Sequence, residues 1–277
     1  MMSVNTQSSE PTSTLRIISY NVQVGIHTRK RGDYILGGWK HFFPHTQRLT
    51  NLDRTAHLLS DYDLVGLQEV DAGSIRCNFI NLIEYLAFRT ELPYWYHQVN
   101  RNLGRIAQHS NGLLSRYKPD AIENLKLPGL IPGRQGLLAR FDSGEDTLVV
   151  IVLHLALSKR ARLKQLDYIA DIINEYPHAI VMGDLNCRAH SAEMQHLFKK
   201  TDLHEPLEIL HTYPSWQPMY NIDHILVSSE LNVVEAAVVD HPVSDHLPIM
   251  MEISLPPGLI LKEQLPQALL QQANLSV

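Results

Sequence analysis

Cysteine is almost missing from this chain. Cys77 and Cys187 are the two in 277 residues, too few for a disulfide framework or a cysteine-based zinc site, and a reducing compartment fits that usage. Long apolar runs are missing as well: no stretch approaches the ~20 residues that cross a bilayer. Nor is there a cationic excess, because 24 Lys and Arg face 29 Asp and Glu, a formal charge of −5. A protein that coats nucleic acid carries a strongly basic footprint, so that class is disfavoured, although a local basic groove is still allowed. Residues 1–14 hold neither a basic nor an apolar run. Ser, Thr and Gln dominate them, and they read as a disordered tail, not a secretory signal. A cytoplasmic soluble protein is the resulting expectation.

What the chain does have is material for a core, with 44% hydrophobic residues. Its length suits one large α/β domain, placed at residues 15–255. Residues 256–277 follow a Pro-Pro-Gly break and read as a surface extension able to form a short amphipathic helix. Four short apolar runs rich in β-branched residues predict buried strands at 15–20 (LRIISY), 63–67 (DLVGL), 147–153 (TLVVIVL) and 179–182 (AIVM). Helical spacing predicts helices at 49–59, 79–88 and 160–176. Further strands are expected at 222–228, 231–239 and 247–253. Shorter strand pieces fall within 111–141, broken by Pro119, Pro128 and Pro132.

Polar residues collect at the ends of these strands. Asn21 closes the first run, Glu69 follows the second, His154 closes the third, and Gly-Asp-Leu-Asn (183–186) closes the fourth. In the late strands the polar groups come first instead: Asp223 near the start of 222–228, and Ser-Asp-His (244–246) before 247–253. Sites in α/β sheets lie at the carboxyl ends of strands. If the late strands run antiparallel to the early four, all six motifs reach one edge. Singly, each has a plain structural reading. An Asn after a strand is most often a turn former, a lone Glu a surface charge, and a His in an apolar run a hydrogen-bonded core residue. Asp184 and Asn186 are costly behind a buried strand unless ligated or hydrogen-bonded. The ordered combination is what the structural reading does not readily produce.

That combination, SYN (19–21), LQEVD (67–71), NGLLSR (111–116), HL (154–155), GDLN (183–186), IDHILVS (222–228) and SDHLP (244–248), resembles the endonuclease/exonuclease/phosphatase superfamily of DNase-I-like metal-dependent phosphohydrolases. The resemblance runs from residue 15 to 253 and is specific for the superfamily but much less so for substrate. It implies an α/β fold, a two-sheet α/β sandwich of mixed sheets with helices on the outer faces and the active site at one end. Some details depart from particular branches. Gln23 stands where AP-endonuclease-like members carry an Asp. Cys187-Arg188 after GDLN is similar to the inositol 5-phosphatase form, yet that branch's Trp-Cys-Asp-Arg signature is absent, and Tyr-Pro-Ser-Trp (213–216) looks more like the bacterial or lipid-phosphodiesterase branches.

The roles that the resemblance and the chemistry imply are as follows. Glu69 with Asn21 holds Mg²⁺, for which Mn²⁺ is a substitute, and Asp245 gives a second, weaker metal contact. Asp184 activates or orients water, and Asn186 positions it with the phosphate. His154 and His246 donate to phosphoryl oxygens, while Asp223 orients His246 and favours its charged form. Whether Asp184 or His246 is the base stays open. Asn111 and Arg160 are expected substrate contacts. An aromatic insert, GGWKHFFP (37–44), could contact lipid or bases, and the basic run 159–164 could steer an anion. The expected activity is a phosphodiesterase on a small or lipid-borne substrate, with lipid-surface contact and no obligate protein partner. A DNA endonuclease or exonuclease of the same superfamily is the alternative, and a catalytically inactive binding module the alternative of another class.

Overall fold

In the chain's first strand, β1 (Thr14–Asn21), Ile17 and Ile18 point to opposite sides, and both are fully buried. A strand apolar on both faces needs a covered sheet, and the rest of the chain supplies the covers. The computed structural model describes residues 13–23, 47–77, 79–102, 108–129, 134–206 and 208–263. The expected aromatic insert at 37–44, residues 1–12 of the tail and residues 264–277 lie outside them.

The remaining strands are β2 (Leu64–Asp71), β3 (Tyr94–Asn102), β4 (Gln108–Ser115), β5 (Ala121–Lys126), β6 (Gln135–Ser143), β7 (Asp146–His154), β8 (His178–Asp184), β9 (Leu203–His204), β10 (Asp223–Ser228), β11 (Asn232–Val238) and β12 (Ile249–Ser254). They form two six-stranded mixed sheets. Sheet one has the order β11-β12-β1-β2-β4-β3, and sheet two β5-β6-β7-β8-β10-β9. Among the described strands only β1 with β2 and β7 with β8 pair in parallel, and the other pairings are antiparallel.

Among the described residues four α-helices complete the sandwich: α1 (Gln47–Leu59), α2 (Leu82–Thr90), α3 (Lys159–Ile173) and α4 (Ala192–Lys200). Three begin at a side-chain cap, with Asn81, Ser158 and Ser191 accepting from backbone N–H groups in the first turn. Between the sheets lie Leu15, Ile17, Val150, Val152, Ile180 and Met251, among others. Leu52, Leu59 and Leu86 from α1 and α2 cover the outer face of sheet one. Leu166, Ile169 and Leu197 from α3 and α4 cover that of sheet two. The sheets approach so closely at Gly66 that a Cβ there would lie 2.7 Å from Met182 Sδ.

Some elements differ from the sequence reading. The second helix starts at Leu82 and not at 79, because Asn81 caps it and Phe79 takes a left-handed φ of 61°. β3 and α4 were not expected. The alternation in YWYHQVNRN is blurred by half-buried aromatics, and α4 buries only Glu193, Met194 and Leu197. After Pro256 no helix begins within the described residues. Leu259 instead enters the core between the sheets, and Ser143 Oγ donates to Gly258 O and accepts from Ile260 N. No helix among the described residues is long and apolar enough to cross a membrane.

Candidate active site

Strand register assembles the site. His154 lies beside Asp184 in the parallel β7/β8 pair, and Asp223 lies opposite Asp184 in the antiparallel β8/β10 pair. These three form one row across sheet two. In sheet one, Asn21 is registered with Gln68, next to Glu69. Because β12 runs antiparallel to β1, the segment 244–246 enters from the same edge. The two sheets then meet at a hydrogen bond: Asn21 Nδ2 donates to Asp184 Oδ2 at 3.2 Å. The sheet-edge expectation from sequence thus describes the actual geometry.

Local backbone distortions aim the side chains. The β2/β4 register slips between Leu67 and Val70, and Glu69 there has a φ of 56°, so the bulge leaves its side chain half-buried at the edge. Gly183 has a φ of 141°, and a Cβ on it would sit 2.0 Å from Leu153 O. Only glycine allows β8 to lie this close to β7 just before Asp184. Asn186, with a φ of 52°, turns back so that its N–H donates to Asp184 Oδ1 at 3.0 Å.

Asp184 is the centre of the arrangement. Besides those two donors, its Oδ2 lies 3.4 Å from His154 Nε2 and 3.9 Å from His246 Nε2. Burial, then the charge on Asp223, with Glu69 adding to them, push its carboxyl up to about 7, against the opposing pull of His246. For His246, burial works against the charged ring. The charge of Asp223, its 2.8 Å contact with Nδ1, and the charges of Asp184 and Asp245 outweigh it and raise the imidazole to about 10. His154 goes the other way: burial, Arg134, His246 and His109 hold it well below the ordinary histidine range. At neutral pH the site therefore pairs one imidazolium, His246, with one neutral imidazole, His154.

Several groups were not found from sequence. The Thr212 hydroxyl donates to the same Asp223 oxygen that holds His246, while its carbonyl accepts from Leu247 N at 2.9 Å. The Tyr213 ring packs 4.8 Å from the His246 ring. Arg134 and His109 lie within electrostatic reach of His154. Thr212, Tyr213 and Arg134 lie outside the regular strands and His109 at the start of β4, where no periodicity marks them. The available signals were the basic Arg134 directly after a Pro-Gly pair and the Tyr-Pro-Ser-Trp run that begins at Tyr213.

Two expected site residues, Asn186 and Asn111, make structural hydrogen bonds that the sequence does not show. The Asn186 side-chain amide donates to Leu155 O at 3.0 Å, so it ties two loops together beneath Asp184. Asn111 is fully buried in β4. It accepts from Asn100 Nδ2 at 2.9 Å and donates to Gln135 O at 3.0 Å, linking sheet one to sheet two. Arg160 is exposed in the first turn of α3. Of its basic neighbours, Arg162 and Lys159 pair with Glu193 at 2.7 and 4.0 Å, and Arg162 also donates to Leu157 O. The basic run is therefore partly a structural brace.

Ligand atoms of Asp184, Asp223 and His246 lie within 4.8 Å of one another, a spacing able to surround a cation. His246 Nδ1 is already held by Asp223 Oδ2, and the oxygens of Asn21, Glu69 and Asp245, the last two close enough to act on the charges of Asp184 and His246, are of the hard kind that suits Mg²⁺. Asp223 Oδ1 and Gln68 Oε1 are buried without a protein partner among the described residues, acceptors of the kind a hydrated cation satisfies.

Similarity to known proteins agrees with this geometry. An endonuclease/exonuclease/phosphatase from Beutenbergia cavernae DSM 12333 is 18% identical with a TM-score of 0.67, covering 88% of this chain and 72% of its own. A mannosyl-6-phosphatase from Bacteroides thetaiotaomicron VPI-5482 is 16% identical with a TM-score of 0.67, covering 87% and 100%. D. rerio TDP2 complexed with single-strand DNA product is 20% identical with a TM-score of 0.62, covering 87% and 99%. No curated protein matches the sequence. Identities this low show the fold. Residues 18–246, which contain every motif of the edge, match a family in their own right, and the chain belongs to that Endonuclease/Exonuclease/phosphatase family of phosphoester hydrolases.

Proposed function

We propose that the chain is a divalent-metal-dependent phosphodiesterase acting on a small or lipid-borne substrate. One observation carries the reading: Asp184, with its carboxyl near 7, sits between a charged and a neutral histidine at an edge shared with three further carboxylates. Glu69, Asp184, Asp223 and Asp245 together repel an anionic ester, so a bound cation is what makes such an edge serviceable. Asn21, Glu69 and Asp245 would hold it, and when bound Mg²⁺ supplies charge neutralisation at the phosphoryl and leaving oxygens.

The chain's own residues supply the rest. Asp184, fixed by Asn21 Nδ2 and the Asn186 N–H, accepts the proton of the attacking water, for which a carboxylate near 7 is well matched. His246 keeps its proton at neutral pH and serves as a donor to a phosphoryl oxygen through Nε2, its Nδ1 being held by Asp223. His154, neutral, donates from the opposite side. On this reading Asp184 is the base. For substrate, the charge of −5 and the diversion of Arg162 and Lys159 to Glu193 argue against a long phosphate-tracking groove.

The test is hydrolysis of bis(p-nitrophenyl) phosphate, then of plain and abasic DNA, sphingomyelin and inositol phosphates, with Mg²⁺ and after chelation. EDTA should abolish turnover and Mg²⁺ or Mn²⁺ restore it. Full activity after exhaustive chelation overturns the metal role. Efficient DNA cleavage that falls steeply with salt, without turnover of the smaller esters, overturns the substrate choice in favour of a nuclease.

A further inference from the structure

Loop 213–220 stands beside the reaction centre. Its base is closed by backbone hydrogen bonds between Tyr213 and Tyr220, at 3.0 and 2.9 Å. The Tyr213 ring lies 4.8 Å from His246, the Tyr220 ring 6.5 Å from Tyr213, and the Arg188 guanidinium 4.4 Å above Tyr220. These contacts form a continuous path of rings from the reacting edge to an exposed cation. Arg188 follows Asn186, whose N–H holds Asp184, so both ends of the path are anchored to the same motif.

A guanidinium laid on a ring keeps its N–H donors in its own plane, directed outward and suited to a planar or tetrahedral oxyanion. Among the described residues no carboxylate pairs with Arg188, whereas Arg116, Arg140 and Arg162 each have one. Apart from the histidines and Arg134, which acts on His154, the other charged groups argued into the edge are carboxylates. We propose that Tyr213, Tyr220 and Arg188 form a subsite for a second anionic group, phosphate or carboxylate, carried by the substrate on a ring-bearing spacer that lies along the two tyrosines. The proposal rests on the phosphodiesterase reading and extends it, since it requires substrates with two separated anionic centres.

The experiment uses inhibition of bis(p-nitrophenyl) phosphate hydrolysis by thymidine 3′,5′-bisphosphate and by thymidine 5′-monophosphate. In the wild type the bisphosphate should inhibit about tenfold more strongly, the scale of one charge-assisted contact. In Arg188→Gln the ratio of the two inhibition constants should fall to about one, and Arg188→Lys should keep part of it. A ratio, unlike a rate, is insensitive to a general loss of activity in the variant. Equal inhibition in the wild type, or a ratio that survives Arg188→Gln, overturns the subsite. Repeating the comparison with vesicles holding phosphatidylinositol 4-phosphate or phosphatidylinositol tells whether the second anion is read from a lipid headgroup or from a soluble ester. Absence of bis(p-nitrophenyl) phosphate hydrolysis at any metal concentration would instead count against the phosphodiesterase reading itself.

Discussion

Asp184 is held by a side-chain amide, a backbone N–H and the approach of two imidazoles, and its carboxyl is costly to ionise where it sits. Function and stability therefore pull in opposite directions at this residue. Asp184→Asn should lower kcat by roughly 10² or more, the scale of one lost transition-state group, while melting no lower than the wild type without metal. A variant with unchanged kcat removes Asp184 from the mechanism. Thr212 acts one step further out. Its hydroxyl shares an Asp223 oxygen with His246, so Thr212→Val, which keeps the shape, should lower kcat about tenfold with little change in KM. Thr212→Ser should recover most of that loss, and equal effects of Val and Ser would assign the residue to packing alone. Asp184 and His246 were legible in the sequence because each adjoins a buried apolar run, where a charged group needs a reason. Thr212 was not: a hydroxyl in an irregular segment has no pattern to violate. Asn111 was found as a position, but the sequence does not show that its amide bonds to Asn100 and Gln135 and so joins the two sheets.

Helix α1 and the turn before β12 meet at His241. Its ring contacts Thr55 Oγ1 through Nε2 at 3.1 Å, and its carbonyl accepts from the Tyr20 hydroxyl. Burial, then the nearby Arg54, lower this histidine to about 4, against the pull of Asp240. The folded chain thus excludes a proton that the unfolded chain takes up below about 6.5. Since the unfolded state binds more protons in that window, stability is complete above about 6.5 and falls as pH drops toward about 4. His241→Gln, which retains a partner for Thr55, should narrow the gap between melting temperatures measured at pH 7.5 and at pH 5. An unchanged gap would place the acid sensitivity elsewhere, for instance at His154, which is shifted the same way. At this scale the sequence was most readable where an element is buried on both faces, as in β1, β7 and β8. It was least readable where burial is one-sided and interrupted, as in β3 and α4. The run at 159–164 shows the same limit, since its charges indicate a solvated face and only the fold reveals Glu193 opposite them.

Across the whole molecule, Asn21 and Glu69 belong to sheet one, His154, Asp184 and Asp223 to sheet two, and His246 to the segment that leads back into sheet one. Neither sheet alone holds the proposed set. In a urea titration, loss of hydrolysis should coincide with loss of near-ultraviolet circular dichroism, as a single transition. Activity persisting after the tertiary signal has gone would mean that one sheet suffices. The order of these residues along the chain, from 21 to 246, has a meaning in time as well as in space. A ribosome must deliver the chain through residue 246 before Asp184 acquires both His246 and Asp223 as neighbours. Until then the emerging chain carries the proposed groups singly, without the neighbours that the proposed hydrolysis requires.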